Sequence, residues 1–153
     1  MSLKIVRRPA GADCASILAE LPEWFGIPAS NAEYAEAAEG QHAWVAEAAG
    51  TALGLMVLTD AGFSALDVHL LAVRPGAHRR GVGKALIERA RELAREQAKA
   101  FLTVKTQGPS AKYEPYERTR RFYEAVGFAG LEVFVEIWGP ENPCLVMVMP
   151  VTE

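Results

Sequence analysis

Apolar and polar positions alternate weakly over residues 3–8 (LKIVRR) until Pro9, which predicts a first strand. Asp13 reads as the cap of a helix running to about Leu21, where Pro22 stops it. Trp24, Phe25, Ile27 and Pro28 then make a bulky apolar loop, and a second short helix is predicted from Ser30 or Asn31 to Gly40. Residues 42–48 (HAWVAEA) and 52–58 read as strands joined through Ala49, Gly50 and Thr51, a hairpin signal. Residues 65–73 (ALDVHLLAV) read as a fourth strand closed by Pro75 and Gly76. Val82, Leu86, Ala90, Leu93 and Ala94 recur at helical spacing and predict the longest helix over residues 82–98. A fifth strand follows over residues 101–106, and then a loop with Gly108 and Pro109. Pro115 suits the first turn of a last helix and Gly127 its C-terminal cap. Residues 128–138 and 145–151 complete the pattern as two strands, separated by Gly139, Pro140 and Pro143.

This order predicts an α/β fold, with a mixed, mostly antiparallel sheet of about seven strands, about four helices and strand–helix–strand units at its centre. At 153 residues the chain fits one domain, residues 1–153, and with 50% apolar residues it can form a sizeable core. A net charge of −3 argues against a general nucleic-acid coat, so no nucleic-acid partner is expected. No run reaches the ~18 apolar residues of a membrane span, and the N-terminus lacks the apolar core of a signal peptide. Cys14 and Cys144 stand in no metal-ligand spacing. The expectation is a cytoplasmic protein with reduced thiols, no metal and no membrane partner.

Chemistry concentrates at one boundary, Val73-Arg74-Pro75-Gly76-Ala77-His78-Arg79-Arg80-Gly81-Val82-Gly83-Lys84, where a strand ends and a helix begins. A helix start carries unsatisfied N–H groups and a partial positive charge, so acidic residues normally settle there. This one carries Arg79, Arg80 and Lys84, with no acid until Glu88. Arg80 and Lys84 also form an i, i+4 like-charge pair, worth roughly 0.2–0.5 kcal/mol of destabilisation. A bound anion would resolve the conflict, and Gly81 and Gly83 would let it approach the backbone. The alternative is a solvated basic loop whose glycines serve only the turn. A P-loop is excluded because Val82 stands where its lysine is required, and a dinucleotide fingerprint because Leu86 replaces its third glycine.

The stretch His78-Arg79-Arg80-Gly81-Val82-Gly83 resembles the pyrophosphate-binding motif Arg/Gln-x-x-Gly-x-Gly/Ala of the GNAT acetyltransferases, with His in the first position. A second motif of that family, Asn-x-x-Ala-Arg-x-Phe-Tyr-Glu-x-x-Gly-Phe, is matched by residues 116–128, with Tyr116 for Asn and Thr119 for Ala. The resemblance implies the GNAT fold and acetyl-CoA as co-substrate. It implies diphosphate contacts from residues 78–84, including Val82. It implies contacts to the carbonyl and pantetheine arm from the backbone of Leu71, Ala72 and Val73, where the family splays its fourth and fifth strands. It also implies cofactor contacts around Tyr116 and Thr119, and a hydrogen bond from Tyr123 to the leaving sulfur.

Transfer to an amine requires that the amine be neutral, and an alkylamine has a pKa of about 10. Asp67 and His69, two apart on one strand, face the same way and are the candidate bases. Bulk water is the alternative, and a hydrogen-bonded pair on a sheet face is the non-catalytic reading. Tyr123 also lies on an apolar helix face with Thr119, Phe122 and Val126, so it reads as a core residue too. Arg118, Arg120 and Arg121 read as a solvated helix face. Trp24, Phe25, Tyr34 and the loop of residues 107–116 are candidate linings for a small-molecule or peptide amine, with Glu132, Glu136 and Glu141 as exposed charge. Residues 138–144 shape either that site or the interface of a homodimer. The expected reaction is direct attack in a ternary complex, since neither cysteine stands in a nucleophile–base arrangement. Two rivals are a non-catalytic acyl-CoA sensor on the same fold and a module whose basic loop meets a phosphorylated or nucleic-acid partner. O-acetylation and longer acyl donors stay open.

Overall fold

The computed structural model describes residues 2–151. The elements follow in the order β1 (Lys4–Arg7), α1 (Gly11–Ala19), α2 (Pro28–Ala38), β2 (Ala43–Ala48), β3 (Thr51–Asp60), β4 (Ala65–Val73), α3 (Val82–Glu96), β5 (Phe101–Gln107), α4 (Glu114–Val126), β6 (Ala129–Phe134) and β7 (Cys144–Pro150). The strands form a seven-stranded mixed sheet in the order β1-β2-β3-β4-β5-β7-β6. The chain divides into two compact units, Met1–Thr59 with Val68–Glu92 and Asp60–Asp67 with Leu93–Glu153. β4 contributes its first residues, through Asp67, to the second unit and the remainder to the first.

In the first unit, β1 and β2 pair antiparallel, as do β2 and β3, with a bulge at Ala46 and Glu47. The β2–β3 turn places Ala49 at φ 52° and Gly50 at φ 79°, the left-handed pair that a tight two-residue hairpin turn requires. Cys14, Ile17 and Leu18 of α1 pack with Val45, Leu55 and Val57 of the strands and with Leu70 and Ala72 of β4. Burial on this scale contributes about 1.5–3 kcal/mol per large aliphatic side chain.

Two helix starts differ from expectation. Asp13 lies inside the first turn of α1 rather than at its cap. It pairs there with Arg8 at 2.7 Å. The orphan Gly11 N–H instead donates to Glu39 Oε1 at 2.6 Å, a carboxylate supplied from beyond the end of α2. α2 itself opens at Pro28, whose missing N–H costs nothing in a first turn.

In the second unit, β7 pairs antiparallel with both β5 and β6. β6 ends at Phe134 rather than near Trp138, and most of its residues are exposed. α4 ends as expected at Gly127, which takes φ 119°. Lys99 is a buried cation held by Asp60 at 2.8 Å and by the Phe63 carbonyl at 2.7 Å. Among the described residues no helix is long and apolar enough to cross a membrane.

Candidate functional site

The basic boundary lies in the first unit. Arg74 leaves β4 in an extended conformation, and Pro75–Ala77 makes a short 3-10 turn. Arg79 then takes φ 63° and Gly81 φ 80°, immediately before α3. A non-glycine left-handed residue is strained and persists only where its surroundings hold it. Alternation of this kind turns successive N–H groups toward one side, an anion-binding concavity. His78, Arg79, Arg80 and Lys84 are exposed, while Val82, Leu86 and Ile87 anchor the helix beneath them. Val82 is thus a packing residue whose amide, not its side chain, belongs to the loop. No acid stands in the first turn of α3. The direction in which Gly81 would carry a Cβ is open. Exposed cations, open backbone and a first helical turn without an acid fit a diphosphate.

Three braces hold this loop. The Arg74 amide donates to the Leu53 carbonyl at 2.8 Å, and its Nε to Ala52 O at 2.8 Å. Its guanidinium pairs with Glu20 and reaches Ser16 Oγ at 3.3 Å. Arg80 Nη1 donates back to Gly76 O at 3.5 Å. His78 Nε2 lies 2.7 Å from Val73 O, and its ring stands edge-on to Trp24 at 6.1 Å. Gly54 on β3 is a fourth constraint, because a Cβ there would stand 2.9 Å from Ala72 O and 3.2 Å from Val82 Cγ1. Neither Arg74 nor Gly54 stands out in the sequence. Their partners lie on other elements, so no local spacing marks them.

His69, on the same unit, is exposed and lies 5.4 Å from the Tyr34 ring, which Phe25 meets edge-on at 5.9 Å. Trp24, Phe25 and Tyr34 are partly buried against the core of α1 and β2–β4. Burial, with the nearby Glu33 and Cys14, raises the Tyr34 phenol above its usual range. The Cys14 thiol is pushed up to about 11 by burial and is not a nucleophile at neutral pH.

The second unit carries the other candidates. Asp67 Oδ1 accepts a hydrogen bond from the Thr103 hydroxyl at 2.7 Å and stands 3.7 Å from Lys105 Nζ. Asp67 and His69 share one side of β4, yet each has its own partners. Tyr123 is buried on α4, with its ring against Phe122 and Phe128, each 5.4 Å away between centroids. Thr119 donates to Pro115 O at 3.2 Å, and Tyr116 lies against Tyr113 at 6.1 Å. Arg118 pairs with Glu114 at 2.9 Å and Arg121 with Glu117, the expected solvated face. Arg120 instead donates to Gln107 O at 2.7 Å and steadies the end of β5. Thr106 Oγ1 and Gln107 Oε1, both shielded from solvent, have no hydrogen-bond partner among the described residues. Cys144 is buried and its thiol raised by desolvation. Among the described residues no group of His, Cys, Asp and Glu gathers as a metal site.

Residues 39–129 match the family model of the acetyltransferase (GNAT) domain. No curated protein matches the sequence. A structure described as a GNAT-family acetyltransferase from Desulfovibrio desulfuricans superposes with a TM-score of 0.84 at 20% identity, over 99% of this chain and 100% of that one. An aminoglycoside 6'-N-acetyltransferase complexed with coenzyme A gives 0.77 at 15% identity, over 100% and 98%. The ribosomal-protein-S18-alanine N-acetyltransferase from Escherichia coli gives 0.74 at 16%, over 99% and 96%. At these identities the superpositions speak for the fold, while the family match covers both motifs.

Proposed function

Because the chain belongs to the GNAT acetyltransferase domain family, we propose that it transfers the acetyl group of acetyl-CoA to a primary amine of a small molecule or peptide. In this reading residues 1–153 act as one catalytic domain, and transfer is by direct attack in a ternary complex. The observation that carries the reading is the start of α3: exposed Arg79, Arg80 and Lys84 around left-handed Arg79 and Gly81, with no acid in the first turn. The amides of residues 79–83, with the three cations, would hold the diphosphate. The backbone of Leu71, Ala72 and Val73 would take the pantetheine arm and stabilise charge on the carbonyl oxygen. Tyr116 and Thr119 would flank the arm. Acetyl-CoA supplies an activated acyl carbon and a thiolate leaving group.

The amine must lose a proton as its nitrogen–carbon bond forms and the carbon–sulfur bond breaks. His69 is the better placed base of the two candidates, because it is exposed whereas Asp67 already serves Thr103 and Lys105. Asp67 would then act through water or by orienting the strand. The Tyr123 hydroxyl donates a hydrogen bond to the departing sulfur; with a phenol pKa of about 10 against about 8.5 for a thiol, full proton transfer is not required. An amine acceptor is supported by two fold neighbours named for acetylating an aminoglycoside and a protein alanine.

The test is thiol release from acetyl-CoA across a panel of amines, with native protein and Tyr123→Phe. Amine-dependent release that falls about tenfold or more in the variant, with acetyl-CoA affinity kept, is the expected result. Equal turnover in the variant would return Tyr123 to a packing role. Coenzyme A binding without release for any amine would favour a non-catalytic sensor.

A further inference from the structure

The loop that carries the cations departs from the family motif at its first position, where His78 stands for Arg or Gln. His78 Nε2 is 2.7 Å from Val73 O. A carbonyl oxygen only accepts, so Nε2 carries the proton and donates. The bond spans five residues and joins the last residue of β4 to the residue just before strained Arg79. Trp24, from the connection between α1 and α2, meets the same ring in a T-shaped contact, 6.1 Å between centroids.

We propose that His78 is a positioning residue that clamps the end of β4 and the Trp24 segment to the anion loop, holding Arg79 left-handed so that the amides of residues 79–83 are aligned before the diphosphate arrives. The physical reason is strain. Arg79 at φ 63° is strained and relaxes unless its neighbours are fixed. The residue before it, at φ −62° and ψ 147°, is extended. Its amide is spent on the preceding turn, in a bond to Pro75 O at 3.2 Å. The imidazole adds a side-chain tie that joins this corner to the end of β4. An open loop would have to be ordered by the ligand itself, and that ordering is subtracted from affinity.

The clamp also accounts for the histidine. Gln or Arg could donate to the same carbonyl, but neither presents a compact ring to the edge of Trp24. The donor serves the anion loop, and the ring ties that loop to the segment between α1 and α2.

The inference rests on residues 79–84 being the diphosphate cradle, and the experiment separates the two claims. Coenzyme A is titrated by calorimetry into native protein, His78→Phe and His78→Gln, with thermal melting of each as a control on folding. Phe keeps a ring beside Trp24 and loses the donor; Gln keeps a donor and loses the ring. The expected result is affinity roughly three- to tenfold weaker for Phe, the range of one modest hydrogen bond, with most of the loss recovered by Gln. Native affinity in the Phe variant overturns the clamp while leaving the cradle standing. Equal loss in both variants also overturns it, because restoring the donor would then recover none of the affinity. Failure of native protein to bind coenzyme A would overturn cradle and clamp together.

Discussion

Single side chains set the chemistry, and the most exposed to test are Tyr123 and Cys14. Tyr123→Phe keeps the ring that packs on Phe122 and Phe128, so its expected loss of turnover is chemical rather than structural. Cys14 is fully buried and titrates at about 11 in the folded protein, against 9.0 as the ordinary thiol value. A thiol held protonated by burial favours the folded state below the unfolded value and loses that contribution as pH rises through the folded one. Melting of native protein should therefore fall between about pH 9 and about pH 11 by more than melting of Cys14→Ala does, each relative to its own value at pH 8. Parallel curves would mean that the thiol ionises as readily folded as unfolded. At this scale the sequence was partly legible. Asp67 and His69 could be singled out by spacing, but Asp67's partners Thr103 and Lys105 lie far along the chain and gave no local signal.

Elements decide how those side chains are presented. The start of α3 keeps cations where a helix prefers acids, and β3 presses on it from behind through Gly54. Gly54→Ala would place a methyl group 2.9 Å from the Ala72 carbonyl, backbone that cannot swing aside. The expected cost is about 1–3 kcal/mol, read as a lower melting temperature, together with weaker coenzyme A binding because β4 and α3 must shift. An unchanged melting temperature would mean that the strands separate there at no cost. Periodicity found α3, β4 and Gly127 because these are set by local pattern. It misplaced the cap of α1, since Glu39 caps that helix from another element. It also ran β6 on to residue 138, because the alternation of Leu131, Val133, Val135 and Ile137 persists past Phe134 where the strand pairing stops.

Across the whole chain, a protein with a net charge of −3 gathers Arg79, Arg80 and Lys84 at one helix start, and a local field there matters more to a diphosphate than the overall sign. The seven-stranded mixed sheet and the GNAT family were legible because two motifs fell in the right strand–helix context. The acceptor was not, since the candidate linings Trp24, Phe25 and Tyr34 also pack against the core, and no local pattern separates the two roles. The most direct measurement is calorimetric titration of acetyl-CoA into native protein and into the double variant Arg80→Glu, Lys84→Glu. The account predicts binding to native protein and affinity at least tenfold weaker in a folded double variant, as two reversed charges beside a diphosphate require. Equal affinity in the two proteins would contradict the placement of the diphosphate at α3, and no binding to native protein would contradict the proposed reaction itself.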